Sequence, residues 1–145
     1  MLIELWKANL THDMVRASGV FAVHLLPATP KEALGVSLSL VRTLGMRSGR
    51  DEDKMAGLPL RQGVTGSPIL TDALSYVEAR VAATLDGDEM TVFLGDVVAG
   101  ECLHEGNALT MQVAREQMPG EWMDEWERNH RRQLAEAKLR RGHDD

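Results

Sequence analysis

Two long strand-forming segments joined by a short turn constrain the fold of this chain most strongly. The first covers residues 74–85 (LSYVEARVAATL) and the second covers residues 90–98 (MTVFLGDVV). Asp86-Gly87-Asp88 between them is a turn sequence, so the pair predicts a β-hairpin in an antiparallel sheet. Gly95, inside the second segment, predicts a bulge or bend of the kind found at a barrel corner.

Alternation along the first of these strands predicts two faces. Its polar residues Tyr76, Glu78 and Arg80 share one face, and apolar residues including Val77 and Ala79 share the other. Glu78 and Ala79 are therefore predicted to point to opposite sides of the sheet.

Shorter segments predict further strands and a loop. Residues 2–6 (LIELW) and 20–26 (VFAVHLL) are short apolar runs typical of buried strands. We interpret His24, in the second run, as a hydrogen-bonded core residue rather than a catalytic one, because buried polar groups find partners. Residues 45–60 contain three glycines and a proline, which predict a loop.

Capping residues and periodicity predict three helices. Thr11 is predicted to cap a helix of about two turns that ends at Gly19. Thr29 is predicted to cap a helix over residues 31–44, with an acidic residue at its third position completing a capping box. A long helix over residues 119–141 carries acidic residues early and basic residues late, which complements the helix dipole.

Composition and charge exclude several classes of protein. The 145 residues are one domain in size, and no apolar run is long enough to cross a bilayer. The first ten residues lack the pattern of a secretory signal, so we expect a cytoplasmic protein without a membrane partner. A net charge of −6, with no basic stripe, argues against nucleic acid as a partner. One cysteine and five scattered histidines give no predicted metal site.

Two segments carry groups suited to a small anion. After the first strand, Lys7, Asn9 and Thr11 place a cation, an amide and a hydroxyl beside a helix N-terminus, which is what a phosphate needs. In residues 46–54 (MRSGRDEDK), a Ser-Gly pair between arginines can cradle an anion. Each segment also has an ordinary structural interpretation. Thr11 can be only a helix cap beside a solvated lysine, and the second segment can be only a solvated loop.

Five short motifs stand in a fixed order along the chain: Ser18-Gly19 to Leu26, Ser48-Gly49-Arg50-Asp51 with Asp53-Lys54, Gly66-Ser67-Pro68-Ile69-Leu70, Glu78-Ala79-Arg80, and Gly95-Asp96-Val97-Val98. Their order resembles that of the flavin reductase-like family, whose fold is the FMN-binding split barrel. The resemblance covers roughly residues 2–101. It is carried by the combination of motifs, since no single one is specific.

The resemblance implies an α+β fold: an antiparallel split β-barrel with short internal helices and a long C-terminal helix. We expect a barrel domain over residues 1–118 and a helical extension over residues 119–145. Family members have additional barrel strands before the position of Leu2, so the barrel is expected to be incomplete at its N-terminus. The family also implies a homodimer, and an apolar stripe at Trp122 and Trp126 supports burial against another surface.

The resemblance also implies a cofactor and its site. FMN is the expected cofactor and NAD(P)H the co-substrate, for reduction of flavin or a related acceptor. The expected cofactor-binding residues are Lys7, Asn9, Thr11 and His12 at the phosphate, and Ser48, Arg50 and Lys54 near the phosphate or the ribityl chain. No catalytic residue is assigned, because the hydride chemistry belongs to the cofactor. Two alternatives stay open: a flavin or small-ligand binding protein without turnover, and an interaction module that has lost the site.

Overall fold

Six strands and four α-helices make up residues 1–141, the part of the chain that the computed structural model describes. In chain order they are β1 (Leu2–Trp6), α1 (Leu10–Ser18), β2 (Val20–Leu25), α2 (Lys31–Leu40), β3 (Leu60–Gln62), β4 (Pro68–Leu70), β5 (Ser75–Asp86), β6 (Met90–Cys102), α3 (Met111–Gln117) and α4 (Gly120–Arg141). One antiparallel sheet has the strand order β1-β6-β5-β2, and β3 pairs with β4. The α+β class is confirmed, and the sheet forms a curled half-barrel. The last four residues of the predicted 119–145 extension lie outside the described part.

The β5–β6 hairpin is confirmed and is longer than predicted. It pairs from Ser75 opposite Cys102 to Asp86 opposite Thr91, with two irregularities in register. At one of them, Ala82 is the extra residue, because Val81 pairs with Gly95 and Ala83 pairs with Leu94. The irregularity therefore lies opposite Gly95, on β5 and not on β6 where the glycine predicts it, and a bulge of this kind bends a strand and increases its twist.

Both faces of β5 are covered at its centre. Glu78 pairs with Ala22, and Ala79 pairs with Phe21. Paired residues share a face of the sheet, so Glu78 and Ala79 point to opposite faces, as predicted. Ala79 packs in a core cluster with Phe21, Phe93 and Val15, which joins α1 to the sheet. Glu78 has 0% exposure as well, so its face is also buried.

The boundaries of the first two helices differ from the predicted ones. Asn9, not Thr11, precedes the first turn of α1, because the chain already turns there through a hydrogen bond from the Asn9 N–H to the Trp6 carbonyl. Gly19 ends α1 in the left-handed conformation (φ 69°), as predicted. Thr29 does not cap α2: Pro30 precedes the helix, and the Thr29 hydroxyl accepts a hydrogen bond from the Asn107 N–H instead.

The second predicted helix also changes type before it ends. The α-helical part stops at Leu40, and the chain continues as a π-helical turn over Val41–Gly45. This turn delivers Leu44 and the following loop to the region beside α1, where both contribute to the candidate site.

The C-terminal region contains two helices instead of one. The helix α3 was not predicted, and with α4 it contributes to a separate apolar cluster around Met46, Ala114 and Met118. Trp122 and Trp126 pack against this cluster, so the same chain covers the tryptophan stripe. The stripe therefore does not support a partner surface. No helix within residues 1–141 is long and apolar enough to cross a membrane.

The bend of the hairpin depends on the absence of a side chain at Gly95. A Cβ at this position would lie 2.6 Å from Phe21 Cζ and 2.9 Å from the Ala79 Cβ. Gly95→Ala should therefore lower the free energy of unfolding by about 1–3 kcal/mol, because it overpacks the core. Thermal or urea denaturation measures this change.

Gly35 provides the matched control. It lies in α2, and a Cβ there would meet nothing within 4 Å. Gly35→Ala should therefore stabilise the protein by about 0.4–1 kcal/mol, because alanine restricts the unfolded chain. Equal effects of the two substitutions would contradict close packing at Gly95.

Candidate functional site

A cleft of about 610 Å³ lies between the start of α1 and the loop that follows the π-helical turn. Five of the seven residues predicted to bind a cofactor line it together: Asn9, Thr11, Ser48, Arg50 and Lys54. The two segments predicted to bind an anion, which are separate in the sequence, thus form two walls of one cleft. Leu10 and Thr11, the first two residues of α1, line this end of the cleft, and N–H groups at a helix start have no partners inside the helix. The His12 N–H already donates to the Asn9 carbonyl.

Lys54 holds the loop in place. Its ammonium donates hydrogen bonds to the carbonyl oxygens of Leu44 (2.6 Å) and Arg47 (3.0 Å), which closes the loop on itself. Burial lowers the pKa of Lys54, an effect that the carboxylate of Glu52 opposes. Gly49 lets the loop approach α1, because a Cβ there would lie 3.1 Å from Leu10 Cδ2.

The arginines of the cleft are paired with carboxylates. Arg50 forms an ion pair with Asp13, and Arg47 Nη1 lies 3.5 Å from Glu52 Oε2. Burial would raise the pKa of Asp13, but hydrogen bonds from Arg50 and His12 lower it below its usual value. An anion entering the cleft therefore competes with Asp13 for the guanidinium of Arg50.

Lys7 and His12 do not line the cleft. Lys7 Nζ lies 3.0 Å from Asp86 Oδ1, at the turn of the hairpin. Hydrogen bonds from Thr91 and Lys7 lower the pKa of Asp86. His12 is 3% exposed, and its ring nitrogens form hydrogen bonds with Asp13 Oδ1 (3.1 Å) and Thr91 Oγ1 (3.0 Å). Both side chains thus connect α1 and β1 to the hairpin.

A second, largely apolar groove of about 680 Å³ adjoins the cleft. The two cavities share the four residues Thr11, Met14, Leu44 and Met55. The groove follows β2, the outer strand of the sheet, and extends to the loop between β3 and β4. A charged cleft and an apolar groove therefore form one continuous surface.

His24 lies in this groove and has a structural partner. The Leu70 N–H donates a hydrogen bond of 3.2 Å to its Nε2, and its ring lies 6.2 Å from that of Tyr76. Burial lowers the pKa of His24, which favours the neutral ring that can accept this bond. His24 is therefore hydrogen-bonded, as predicted, but it is half-buried and lines the groove, so it is not a core residue.

Glu78 organises the far wall of the groove, a role that the sequence did not predict. Its carboxylate accepts hydrogen bonds from the Val64 N–H (3.0 Å), the Thr65 N–H (2.9 Å) and the Thr65 hydroxyl (2.6 Å). A Cβ at Gly63 would lie 2.3 Å from Glu78 Oε1, so the loop wraps closely around the carboxylate. Two features of the sequence could have indicated this role: a single acidic residue in an otherwise mostly apolar strand, and the glycine-rich segment 63–67 (GVTGS).

The charge of Glu78 contributes to stability in a pH-dependent way. Burial would raise its pKa, but the hydrogen bonds from Thr65 and Val64 lower it below the usual value of 4.5. Because the folded-state pKa is the lower one, the contribution is present above pH 4.5 and is lost as the pH falls further.

Glu78→Gln should lower the free energy of unfolding by about 1.5–3 kcal/mol at neutral pH, because an amide cannot replace the carboxylate as acceptor at both oxygens. Urea denaturation of both proteins should show that this difference shrinks in acid. Glu4→Gln, at an exposed position of β1, is the control and should change stability by less than about 0.5 kcal/mol. A difference that does not vary with pH would mean that Glu78 acts through its shape alone.

Comparison with known proteins identifies the family of this fold and site. The flavin reductase like domain matches residues 1–119. The high molecular weight rubredoxin of Moorella thermoacetica is 34% identical over 109 residues, which cover 74% of this chain and 45% of the relative. The ferric-chelate reductase (NAD(P)H) of Archaeoglobus fulgidus is 34% identical over 106 residues, which cover 72% of this chain and 59% of the relative.

A solved structure shares both the fold and part of the sequence. The FMN-binding protein of Thermus thermophilus, determined with p-hydroxybenzaldehyde, matches with a TM-score of 0.59 at 27% identity. The match covers 69% of this chain and 53% of that protein, so the chain spans about half the length of such relatives. With a domain match over residues 1–119 and these relatives, the chain belongs to the flavin reductase-like family.

Proposed function

We propose that this chain binds FMN across the cleft and the groove and takes part in NAD(P)H-dependent reduction of flavin or a related acceptor. The observation that carries the proposal is the continuity of the two cavities through Thr11, Met14, Leu44 and Met55. FMN has a similar two-part chemistry, with a flat aromatic ring system at one end and a phosphate at the other.

The donor set of the cleft fits a phosphate. Arg50 and Ser48 face the N-terminus of α1 across it, and the helix dipole favours an anion at that end. We propose that Asn9, Thr11, Ser48, Arg50 and Lys54 surround the phosphate, with Lys54 acting mainly through the loop that it holds.

The groove fits an aromatic ring system. Its walls include Phe21 and Met14, and its volume of about 680 Å³ lies in the range of small-molecule sites. When bound, FMN supplies the hydride chemistry, so the chain needs to bind, orient and shield the ring without a dedicated acid or base. Glu78 serves this purpose by fixing the loop that forms one wall of the groove.

The names of two relatives support flavin binding and NAD(P)H-dependent turnover separately. The Archaeoglobus relative is a ferric-chelate reductase, which supports turnover, and the Thermus relative is an FMN-binding protein, which supports binding. Oxidation of NADH or NADPH by the purified protein with added FMN separates these two functions. Bound flavin without oxidation would favour binding without turnover.

The ion pair between Arg50 and Asp13 provides a two-sided test. Arg50→Ala should weaken FMN binding about tenfold, because it removes a charge-assisted contact to the phosphate. Asp13→Asn should strengthen binding roughly fivefold, because it frees the guanidinium and removes a like charge near the phosphate. Titration by quenching of flavin fluorescence measures both affinities.

Lys7→Ala is the control for this test, because it removes a cation that lies outside the cleft. Its affinity for FMN should equal that of the parent protein. If Lys7→Ala and Arg50→Ala weakened binding equally, overall charge and not the cleft would determine affinity. No binding by the parent protein would contradict the proposed function.

We further propose that two copies associate through the outer face of the sheet. Leu2, Leu85 and Leu94 are 64%, 73% and 47% exposed. Leu2 pairs with Leu94, and Leu85 pairs with Val92, two residues before Leu94, so all of them share one face. The leucines form an apolar patch that Glu4 interrupts, because Glu4 lies on the same face opposite Val92. Exposed apolar patches on soluble proteins mark interaction surfaces.

Light scattering should give twice the 16.0 kDa mass of the chain. Leu94→Glu should shift the protein to the monomer, because it places a charge inside the apolar patch. Met111→Glu, at an exposed methionine on α3, should leave the dimer intact. A monomeric parent protein would contradict this association.

A further inference from the structure

The C-terminal helix α4 lies beyond the matched family domain but packs back onto it. The match ends at residue 119, and α4 begins at Gly120. Arg42, in the π-helical turn, anchors the helix: its Nη2 donates a hydrogen bond of 2.8 Å to Glu125 Oε2, and its guanidinium lies 4.7 Å from the ring centre of Trp122. The helix is therefore fixed to the segment that leads into the cleft.

Further along, α4 contacts two other segments that carry cleft residues. The ring of His130 stacks on Trp126 and lies 6.0 Å from Trp6, at the end of β1. Arg132 Nη2 donates a hydrogen bond of 2.5 Å to Asp51 Oδ2, in the loop that follows the π-helical turn. One helix thus connects both walls of the cleft.

The next residue of α4 reaches the cleft itself. Gln133 lines the cleft together with Asn9 and Arg50. Its carboxamide carries two N–H donors, which suit a phosphate oxygen and bring no additional charge. Neighbouring Arg131 instead pairs with Glu127 on the helix surface, 77% exposed, so Arg131 and Arg132 differ in environment.

We infer that α4 forms part of the phosphate end of the flavin site, an inference that rests on the function proposed above. Gln133 contacts the phosphate of FMN, and Arg132 is a positioning residue that holds the loop through Asp51. The helix therefore favours phosphorylated flavins, because its contribution is made at the phosphate and not at the ring.

Comparison of FMN with riboflavin, which lacks the phosphate, tests this inference. Gln133→Glu should weaken FMN binding about tenfold, because it places a carboxylate against the phosphate, and should leave riboflavin binding unchanged. Gln133→Lys should strengthen FMN binding roughly threefold, a gain that misfolding cannot produce. Arg132→Ala should weaken FMN binding about threefold with no change for riboflavin.

Two matched controls lie on the same helix. Ala135→Glu makes the same charge change as Gln133→Glu at an exposed position, and Arg131→Ala removes an arginine that does not touch the loop. Both should bind FMN as the parent protein does. Dissociation constants for the two flavins are measured for the parent and all variants by fluorescence quenching.

The outcomes separate this inference from the proposed function. If the parent protein binds neither flavin, the proposed function and the inference are both wrong. If the parent binds FMN but the Gln133 and Arg132 variants behave as their controls do, only the role of α4 is overturned. Equal weakening of FMN and riboflavin by Gln133→Glu would also overturn it, because the effect would then not arise at the phosphate.

Discussion

The close packing of Phe21 against the backbone of Gly95 is the contact on which the rest of the structure depends. It lies at the bend of the β5–β6 hairpin, where the missing side chain makes room for the aromatic ring. Because protein interiors are packed to crystal density, this position has no spare volume for a methyl group. The same cluster includes Val15 of α1. The bend of the sheet and the placement of the helix whose N-terminus faces the cleft are thus determined together.

The charges of the cleft have two different roles. Lys54 is partly buried and donates to two backbone carbonyls, so moving it would open the loop. Arg50 is paired with Asp13 near the surface, where an ion pair contributes only about 0–1 kcal/mol. A phosphate can offer stronger charge-assisted hydrogen bonds than this carboxylate does. Lys54 is therefore a structural part of the loop. Arg50 can exchange its weakly bound partner Asp13 for a phosphate.

Local sequence predicted the helices and strands better than the long-range contacts between them. The four strands of the larger sheet and the left-handed Gly19 were predictable because β-branched runs and a glycine at a helix end report on nearby backbone alone. The short strands β3 and β4 were not predicted. Thr29 was assigned as a cap, but its hydroxyl bonds to Asn107, and such a distant contact leaves no local signal. Lys7 was placed with the phosphate because it is close to Thr11 in sequence, whereas it pairs with Asp86 at the far end of the hairpin. Five of the seven site residues meet in the cleft, and their meeting was expected from the family resemblance and not from the residues alone.

Glu78 is a buried carboxylate whose role in the candidate site is structural and not catalytic. A buried carboxylate is costly unless it is fully hydrogen-bonded, and here two N–H groups and one hydroxyl satisfy it. Its partners all belong to the loop between β3 and β4, so the cost of burying the charge is offset only when that loop has one conformation. The loop in turn forms a wall of the apolar groove. The carboxylate of Glu78 is therefore committed to the shape of the groove, which is what the proposed flavin site requires of the protein, because the cofactor would carry the chemistry.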